Sequence, residues 1–157
     1  MARTDYYDDP NAPEPNSVVP AAVACVTDDE GRLLLEHRVD NDRWALPGGT
    51  HEFGESIVQT VIREVREETG LDVEVTGLVG IYTDPKHVIL YTSDGETRQE
   101  FSVLFTARAL GGEPTPSDES REVLWISRDA LAELQMDRSM RFRIPHWLDG
   151  HTGPYLG

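Results

Sequence analysis

A stretch of 23 residues, GTHEFGESIVQTVIREVREETGL from residue 49 to residue 71, predicts a helix with well-marked ends. Ser56 and Gln59 match a capping box, in which each side chain accepts a hydrogen bond from the backbone N–H of the other residue. Gly70 stands where helices commonly end in a left-handed glycine. We therefore predict a helix between Ser56 and Gly70.

This predicted helix has an apolar stripe and, beside it, an acidic face. The stripe consists of Ile57, Val58, Val61, Ile62 and Val65, which is typical of a helix packed on a core. Glu64, Glu67 and Glu68 are spaced i, i+3 and i+4, so they share one side of the helix. Like charges at this spacing cost about a few tenths of a kcal/mol per pair. Because hard divalent cations take oxygen ligands, the face is a candidate metal site.

The positions of the three glutamates relative to the stripe suggest different roles. Glu64 and Glu68 border the apolar stripe, so we expect them to be the inner metal ligands, whereas Glu67 lies further out. Arg63 precedes Glu67 by four residues, and its guanidinium can fork onto a carboxylate and hold it. The alternative is a solvated acidic face, which is the usual reason for a run of charges.

Apolar and alternating runs predict strands around this helix. We expect them at residues 18 to 27, 32 to 38, 44 to 46, 71 to 82, 88 to 92, 98 to 108 and 122 to 126. The segment SDGE between the fifth and sixth of these runs predicts a hairpin. Further helices are expected at residues 129 to 134 and 139 to 148. These patterns alone indicate an α+β fold.

The residues of the central stretch resemble the Nudix box, the signature of the Nudix hydrolase family, written G-x5-E-x7-R-E-U-x-E-E-x-G-U with U a bulky aliphatic residue. The match has no departure and uses Gly49, Glu55, Arg63, Glu64, Val65, Glu67, Glu68, Gly70 and Leu71. The flanking pattern extends the resemblance over residues 18 to 148. It implies an α/β (α+β) fold, namely a Nudix-like α/β/α sandwich with a mixed β-sheet.

The resemblance also implies an activity and a cofactor. Nudix enzymes are pyrophosphohydrolases that cleave a nucleoside diphosphate linked to another moiety X, and they use Mg²⁺ (or Mn²⁺). The implied metal ligands are Glu64, Glu68 and Glu67, with the carbonyl of Gly48 as a further one. Glu55 is expected to orient these ligands and to share in metal binding.

A general base must reach the water that attacks phosphorus. In many family members this carboxylate lies on a later loop, a few residues before a strand that contains tryptophan. Here that segment is SDESREVLW, which ends at Trp125. Glu119 is the first candidate for the base, Glu122 the second, and Glu67 the third.

Substrate contacts are the least specific part of the pattern. Arg38, Arg43, Lys86, His87 and Arg98 are candidates for phosphate binding, although exposed surface positions are the commoner explanation for such residues. Trp44 is a candidate for stacking on a nucleobase, with core packing as the alternative.

A proline supplies the one sequence signal for the substrate. Pro85 follows Gly70 by 15 residues, and this spacing resembles the marker of ADP-ribose pyrophosphatases. The favoured substrate is therefore ADP-ribose or a related sugar nucleotide. The alternative is a nucleoside triphosphate removed from the nucleotide pool, as in the 8-oxo-dGTP type of enzyme.

Two further function classes fit less well. A non-catalytic, nucleotide-sensing Nudix-like domain would be expected to have lost acids of the box, and none is lost. A Nudix-fold isomerase of an isoprenoid diphosphate would need an active cysteine. The single cysteine, Cys25, lies in an apolar run and is expected to be a buried, reduced thiol.

Length and charge limit the remaining choices. The 157 residues suggest an extended N-terminal tail at residues 1 to 17, containing Pro10, Pro13 and Pro15, and a single Nudix hydrolase domain at residues 18 to 157. The formal net charge of −15 argues against binding to a nucleic acid polymer, which requires basic residues. A small nucleotide is the expected partner.

The sequence gives no sign of a membrane partner or of export. It has neither a signal peptide nor an apolar run long enough to span a membrane, so we expect a cytoplasmic protein. The oligomeric state stays open, with a homodimer as one option.

Overall fold

The computed structural model describes residues 3–150 and 153–157. The strands in this part of the chain are β1 (Arg3–Tyr7), β2 (Ala21–Thr27), β3 (Leu33–Arg38), β4 (Trp44–Ala45), β5 (Gly48–Thr50), β6 (Asp72–Tyr82), β7 (His87–Tyr91), β8 (Thr97–Gln99), β9 (Ser102–Gly111), β10 (Ser120–Ile126) and β11 (Tyr155–Leu156). The α-helices are α1 (Ile57–Thr69) and α2 (Arg138–Asp149), and a 3₁₀-helix spans Arg128–Glu133.

The strands form a large mixed sheet and a small antiparallel one. The large sheet has the order β10-β3-β2-β9-β6-β11, with β4 paired to β3 and β5 paired to β2. Its β2–β9 and β6–β11 pairs are parallel and its other pairs are antiparallel. The small sheet has the order β1-β7-β8. The predicted mixed sheet is confirmed.

The central strand β2 divides the core because its successive side chains point to opposite faces of the sheet. One face packs with α1 in a cluster that contains Ala22, Ala24, Val26, Val61 and Val65. The other face packs with α2 and the 3₁₀-helix in a cluster that contains Val23, Cys25, Leu131 and Ile144. Helices therefore cover both faces of the sheet, and the predicted α/β/α sandwich is confirmed.

The ends of α1 follow the local sequence signals. The N–H of Gln59 donates to Ser56 Oγ at 3.1 Å, and the N–H of Ser56 donates to Gln59 Oε1 at 2.7 Å. Gly70 adopts a left-handed conformation with φ 76°, and its N–H donates to the carbonyl of Arg66. The predicted capping box and glycine cap are both confirmed.

Two other predicted elements differ from those observed. The run predicted at residues 98 to 108 is two strands, because β8 belongs to the small sheet and β9 to the large one. The break includes Glu100, which is buried and donates its N–H to the carbonyl of His87. The helix predicted at residues 129 to 134 is a 3₁₀-helix that ends before Leu134, whose backbone is extended. The predicted hairpin is confirmed by the antiparallel β7–β8 pair.

The N-terminal segment lies across the body of the domain. Residues 3–7 form β1, which pairs antiparallel with β7, and the N–H groups of Asn16 and Ser17 donate to the carbonyl of Thr97. Residues 1 and 2 of the predicted tail, and residues 151 and 152 of the predicted domain, lie outside the described residues. None of the helices in the described part of the chain is long and apolar enough to cross a membrane.

Candidate active site

The acidic face of α1 lies against β5, the short strand that opens the box. Gly48 donates its N–H to Glu68 Oε2 at 3.1 Å. At Gly49 an added Cβ would lie 2.4 Å from Glu64 Cδ, which is far inside van der Waals contact. A side chain at position 49 would therefore displace the Glu64 carboxylate from its present position.

Arg63 joins the carboxylates of the box into one network. Its Nε and Nη2 contact the two oxygens of Glu55 at 3.0 and 2.8 Å, which is a bidentate pair. Its Nη1 contacts Glu64 at 2.9 Å and Glu67 at 3.3 Å, and its Nη2 also donates to the carbonyl of Thr50 at 3.0 Å. One guanidinium thus fixes the positions of three carboxylates that would otherwise repel one another.

Glu55 is held as a carboxylate by its partners. The hydrogen bonds from Arg63, with weaker help from Thr60 and the backbone of Glu52, lower the pKa of Glu55 to about 2. Thr60 Oγ1 donates to Glu55 at 2.8 Å, and the N–H of Glu52 donates to it at 3.0 Å. The Glu55 side chain is therefore committed to Arg63, in keeping with the orienting role expected for it.

The pKa values of Glu64 and Glu68, the expected inner metal ligands, are raised instead of lowered. Burial raises the pKa of Glu68 well above its usual range, and the neighbouring carboxyl of Glu36 raises it further. Burial also raises the pKa of Glu64, although Arg63 opposes this rise. A cation among these groups would favour their charged forms.

Glu36 is a site residue that the sequence reasoning missed. It lies on β3 with 1% of its side chain exposed, and its Oε1 accepts a hydrogen bond from Arg38 at 3.0 Å. Its Oε2 is buried and accepts no hydrogen bond from any described residue. Burial raises the pKa of Glu36 to about 7, and the carboxyl group lies within hydrogen-bonding reach of Glu68. The available signal was a charged residue that directly follows three leucines.

The side chains of these residues offer the oxygen ligands that a divalent cation prefers, but they do not surround a preformed coordination site. They present several carboxylate oxygens, one of them buried without a donor, and hard cations prefer such ligands. Within residues 3–150 and 153–157, no group of three or more His, Cys, Asp or Glu side chains is already arranged to hold a metal ion. An ion such as Mg²⁺ commonly completes its shell with waters and substrate phosphates.

The carboxylates stand where two hollows of the surface meet. A cavity of about 590 Å³ extends from Glu64 and Glu68 towards β1 and the small sheet. This volume is in the range of small-molecule sites. A neighbouring cleft of about 390 Å³ is lined by Arg63 and Glu67, and Glu64, Glu68 and Glu119 line both hollows.

The three candidates for the general base lie in different places. Glu119 is exposed and lines both hollows, and its carbonyl accepts a hydrogen bond from the N–H of Val39, which fastens its loop to the end of β3. Glu67 is 57% exposed and lines the cleft. Glu122 is absent from the lining of both hollows and lies near His37 instead, with 3.9 Å between Glu122 Oε1 and His37 Nδ1.

The cavity brings together some of the expected substrate contacts. Arg38, Arg43, Trp44 and Arg98 line it. The ring of Trp44 stacks on His37 with centroids 4.8 Å apart, and Trp44 also packs against the α2 side of the core, so both packing and exposure to the cavity apply to it.

Lys86 is not placed as expected for a substrate contact. Its side chain is 66% exposed, lies 3.7 Å from Asp8, and does not line the cavity. Its neighbour His87 is buried beneath the ring of Tyr7 and contacts Asp5 at 2.9 Å. Neither residue lines the cavity, because β1 covers His87 and Lys86 points to the surface.

The sequence reasoning also missed the contribution of β1 to the cavity. Arg3, Thr4 and Asp5 line it, beside Ile89 and Tyr91 on the neighbouring strand β7. The sequence signal for a strand at this place was the adjacent pair Tyr6 and Tyr7, since tyrosine is enriched in strands. A buried ion pair of Arg143 Nη2 with Glu100 Oε2, at 2.9 Å, also borders the cavity.

Known proteins are similar to this chain over most of its length. A family model described as the NUDIX domain matches residues 18–148. A MutT-like protein of Streptomyces ambofaciens is 37% identical over 145 residues, covering 92% of this chain and 84% of that protein. An ADP-ribose pyrophosphatase of Methanocaldococcus jannaschii is 32% identical over 120 residues, 74% of this chain and 66% of its own. Nucleoside triphosphatase NudI of an Enterobacter species is 30% identical over 113 residues, covering 70% of this chain and 79% of that protein.

A solved structure agrees with the fold. The crystal structure of an ADP-ribose pyrophosphatase from Streptococcus suis matches with a TM-score of 0.69 and 24% identity, covering 90% of this chain and 100% of that one. At this level of identity the similarity concerns the fold.

Proposed function

The chain belongs to the Nudix hydrolase family, and on that premise we propose that it is a metal-dependent pyrophosphohydrolase acting on ADP-ribose or a related sugar nucleotide. The observation that carries the proposal is the position of Glu64, Glu68 and Glu119 at the junction of a nucleotide-sized cavity with an open cleft. A diphosphate that bridged the two hollows would have its anhydride bond beside these carboxylates.

Family members generally need a divalent metal, and we propose Mg²⁺ or Mn²⁺ for this chain. When bound, such an ion neutralises phosphate charge and lowers the pKa of a water molecule. Glu64 and Glu68 would hold it, with Glu67 and the carbonyl of Gly48 as further oxygen ligands. Arg63 would keep Glu64 and Glu67 in place, and Glu55 would keep Arg63 in place through its bidentate contact.

The remaining step is a proton transfer from the attacking water. We assign it to the carboxylate of Glu119, because this side chain faces both hollows and is free of the box network. Glu67 is the second candidate, since its carboxylate lines the cleft but also contacts Arg63. Glu122 lies outside both hollows, so we give it no role.

For the substrate, three arginines of the cavity offer cationic contacts to phosphate, namely Arg38, Arg43 and Arg98. The exposed part of Trp44 could stack on a nucleobase. The relative from Methanocaldococcus jannaschii, named an ADP-ribose pyrophosphatase, and the position of Pro85 both favour ADP-ribose. The relative named nucleoside triphosphatase NudI favours a second candidate, a nucleoside triphosphate.

A side-by-side measurement of kcat/KM decides between these substrates. The purified protein with Mg²⁺ would be given ADP-ribose, dGTP and 8-oxo-dGTP, with chelator added as the control for metal dependence. We expect ADP-ribose to give AMP and ribose 5-phosphate with the highest kcat/KM. A triphosphate preferred by about tenfold or more, which is about 1.4 kcal/mol in transition-state binding, would favour the second candidate instead.

A further inference from the structure

A carboxylate outside the box lies beside the acidic face of α1. Glu36 is on β3, two residues before the end of that strand, and only 1% of its side chain is exposed. Its carboxyl group and that of Glu68 lie within hydrogen-bonding reach of each other. Glu68 is itself 6% exposed, so two acidic groups share one enclosed space.

The surroundings of Glu36 satisfy only one of its two oxygens. Arg38 Nη1 donates to Oε1 at 3.0 Å, but the same guanidinium also forks onto Asp40 at 3.0 and 3.1 Å. Oε2 receives no hydrogen bond from any described residue. Burial of a carboxylate oxygen without a hydrogen-bond donor lowers the stability of the fold. Such a group therefore generally has a partner in the functional protein.

The partner must be positively charged or a donor, and it must suit Glu68 as well. The N–H of Gly48 donates to Glu68 Oε2, but no described side chain donates to Oε2 of Glu36. A divalent cation meets both needs, because it binds several carboxylate oxygens at once and offsets their repulsion.

We propose that Glu36 is an additional ligand of the divalent cation, supplied by β3 rather than by the box. This inference rests on the proposed function, in which Glu64 and Glu68 hold the same ion. It gives the metal site an anchor on the central sheet, whereas all the glutamates of the box come from α1 or the loop before it. The metal affinity of the free protein then depends on a residue that the box pattern does not include.

Direct Mn²⁺ binding, followed by electron paramagnetic resonance in the absence of nucleotide, tests the proposal without measuring turnover. The variants are Glu36→Gln, which keeps the shape and removes the charge, and Glu68→Gln as the reference for a box ligand. Glu74→Gln is the matched control, because Glu74 is also a strand glutamate paired with an arginine, 2.6 Å from Arg108, and is 53% exposed.

We expect Glu36→Gln to weaken Mn²⁺ binding by about tenfold or more, as loss of a metal-supporting group typically does, and Glu74→Gln to leave it unchanged. Unchanged Mn²⁺ binding in Glu36→Gln, together with weakened binding in Glu68→Gln, would overturn the proposal and leave Glu36 as a structural partner of Arg38. Unchanged binding in both Glu68→Gln and Glu64→Gln would instead contradict the proposed metal site itself.

Thermal unfolding provides a second readout. With chelator, Glu36→Gln should unfold at or above the temperature of the parent protein, because one of two adjacent buried carboxylates has lost its charge. With Mn²⁺ its gain in Tm should be smaller than that of the parent, since stabilisation by a bound ligand rises with the logarithm of its affinity. An equal gain in Tm would contradict the proposal. If Glu36→Gln does not fold, Glu36→Asp keeps the charge but withdraws the carboxylate, and it should also reduce the gain.

Discussion

At the scale of single residues, the contacts of the box centre on the guanidinium of Arg63 and on Gly49, which has no side chain. Arg63 contacts the carboxylates of Glu55, Glu64 and Glu67 and the carbonyl of Thr50, so its removal would release these three carboxylates but not Glu68. Gly49 leaves room for the Glu64 carboxylate. The presence of arginine and glycine at these two positions of the pattern therefore has a geometric explanation. It can be tested separately from the metal ligands.

Gly49→Ala should impair the enzyme without unfolding it. The new Cβ would meet Glu64 Cδ at 2.4 Å, and the flexible Glu64 side chain would move away more easily than the backbone. We expect kcat to fall by about tenfold or more while Tm changes little, because a displaced ligand acts on the transition state. Gly153→Ala is the control, since its Cβ would have no heavy atom within 4 Å. A full kcat in Gly49→Ala would show that the close contact is unimportant.

The assignment of the general base is tested by a pair of variants. Glu119→Gln should lower kcat by about 10²-fold or more with little change in KM, and the loss should shrink at high pH as hydroxide replaces the activated water. Glu122→Gln should have a small effect, because its side chain lies near His37 and outside both hollows. A larger defect in Glu122→Gln would reverse the assignment, and no defect in either variant would transfer the role to Glu67.

At the scale of elements, α1 and α2 are both fixed by their first residues. Ser56 and Gln59 cap α1 reciprocally. Asp137 caps α2, accepting from the N–H of Ser139 at 3.2 Å and from its Oγ at 2.8 Å. The hydroxyl of Tyr7 in β1 donates to the same carboxylate, so the cap also ties α2 to the small sheet.

This tie predicts a pH dependence of stability. Burial alone would raise the pKa of Asp137, but hydrogen bonds from Tyr7 and Ser139 outweigh it, and the net pKa is lowered. A lowered pKa in the folded state means that the stabilisation is present above the ordinary value near 3.8 and is lost as the pH falls through the folded value.

Asp137→Asn keeps a capping oxygen but removes the charge, so it should destabilise the protein by about 1 kcal/mol at pH 7, and the difference should be smaller at pH 3, below the ordinary pKa of 3.8. Chemical unfolding of the two proteins at both pH values measures the difference. A gap in unfolding free energy that is the same at pH 3 and pH 7 would show that the charge of Asp137 does not contribute.

The elements also show which parts of the structure the sequence could predict. The boundaries of α1 depend on Ser56, Gln59 and Gly70, which act within one turn of the helix, so short-range patterns were sufficient. The meeting of Glu36 with Glu68 depends on how β3 and α1 pack, and no local pattern carries that information. The surroundings of Lys86 likewise depend on the pairing of β1 with β7, which no local pattern predicts.

At the scale of the whole molecule, the cavity is built from distant parts of the chain. Its carboxylate end comes from α1 and the loop before β10, and its other end comes from the small sheet, including β1. The chain passes from β8 of the small sheet into β9 of the large one within two residues. This short connection joins the small sheet directly to the large one.

Variants of Arg3 and Lys86, two basic residues near β1 and β7, test whether the β1 end of the cavity contacts the substrate. Arg3 lines the cavity, whereas Lys86 points to the surface beside Asp8. We expect Arg3→Ala to raise KM for ADP-ribose by about three- to tenfold with kcat nearly unchanged, because it removes a binding contact away from the reacting bond. Lys86→Ala should leave KM unchanged. The opposite ranking of the two variants would restore Lys86 as a substrate contact.

The participation of β1 in the cavity has a consequence for how such an enzyme can diverge. Under the proposed function, the acids of the box and the residues of β1 that line the cavity are encoded in separate segments, residues 49–71 and residues 3–7, and β1 makes no contact in the Arg63 network. Mutations in the first strand can thus be sampled by drift without touching the acidic helix. A lineage could exchange one nucleotide for another while the cleavage chemistry is inherited intact.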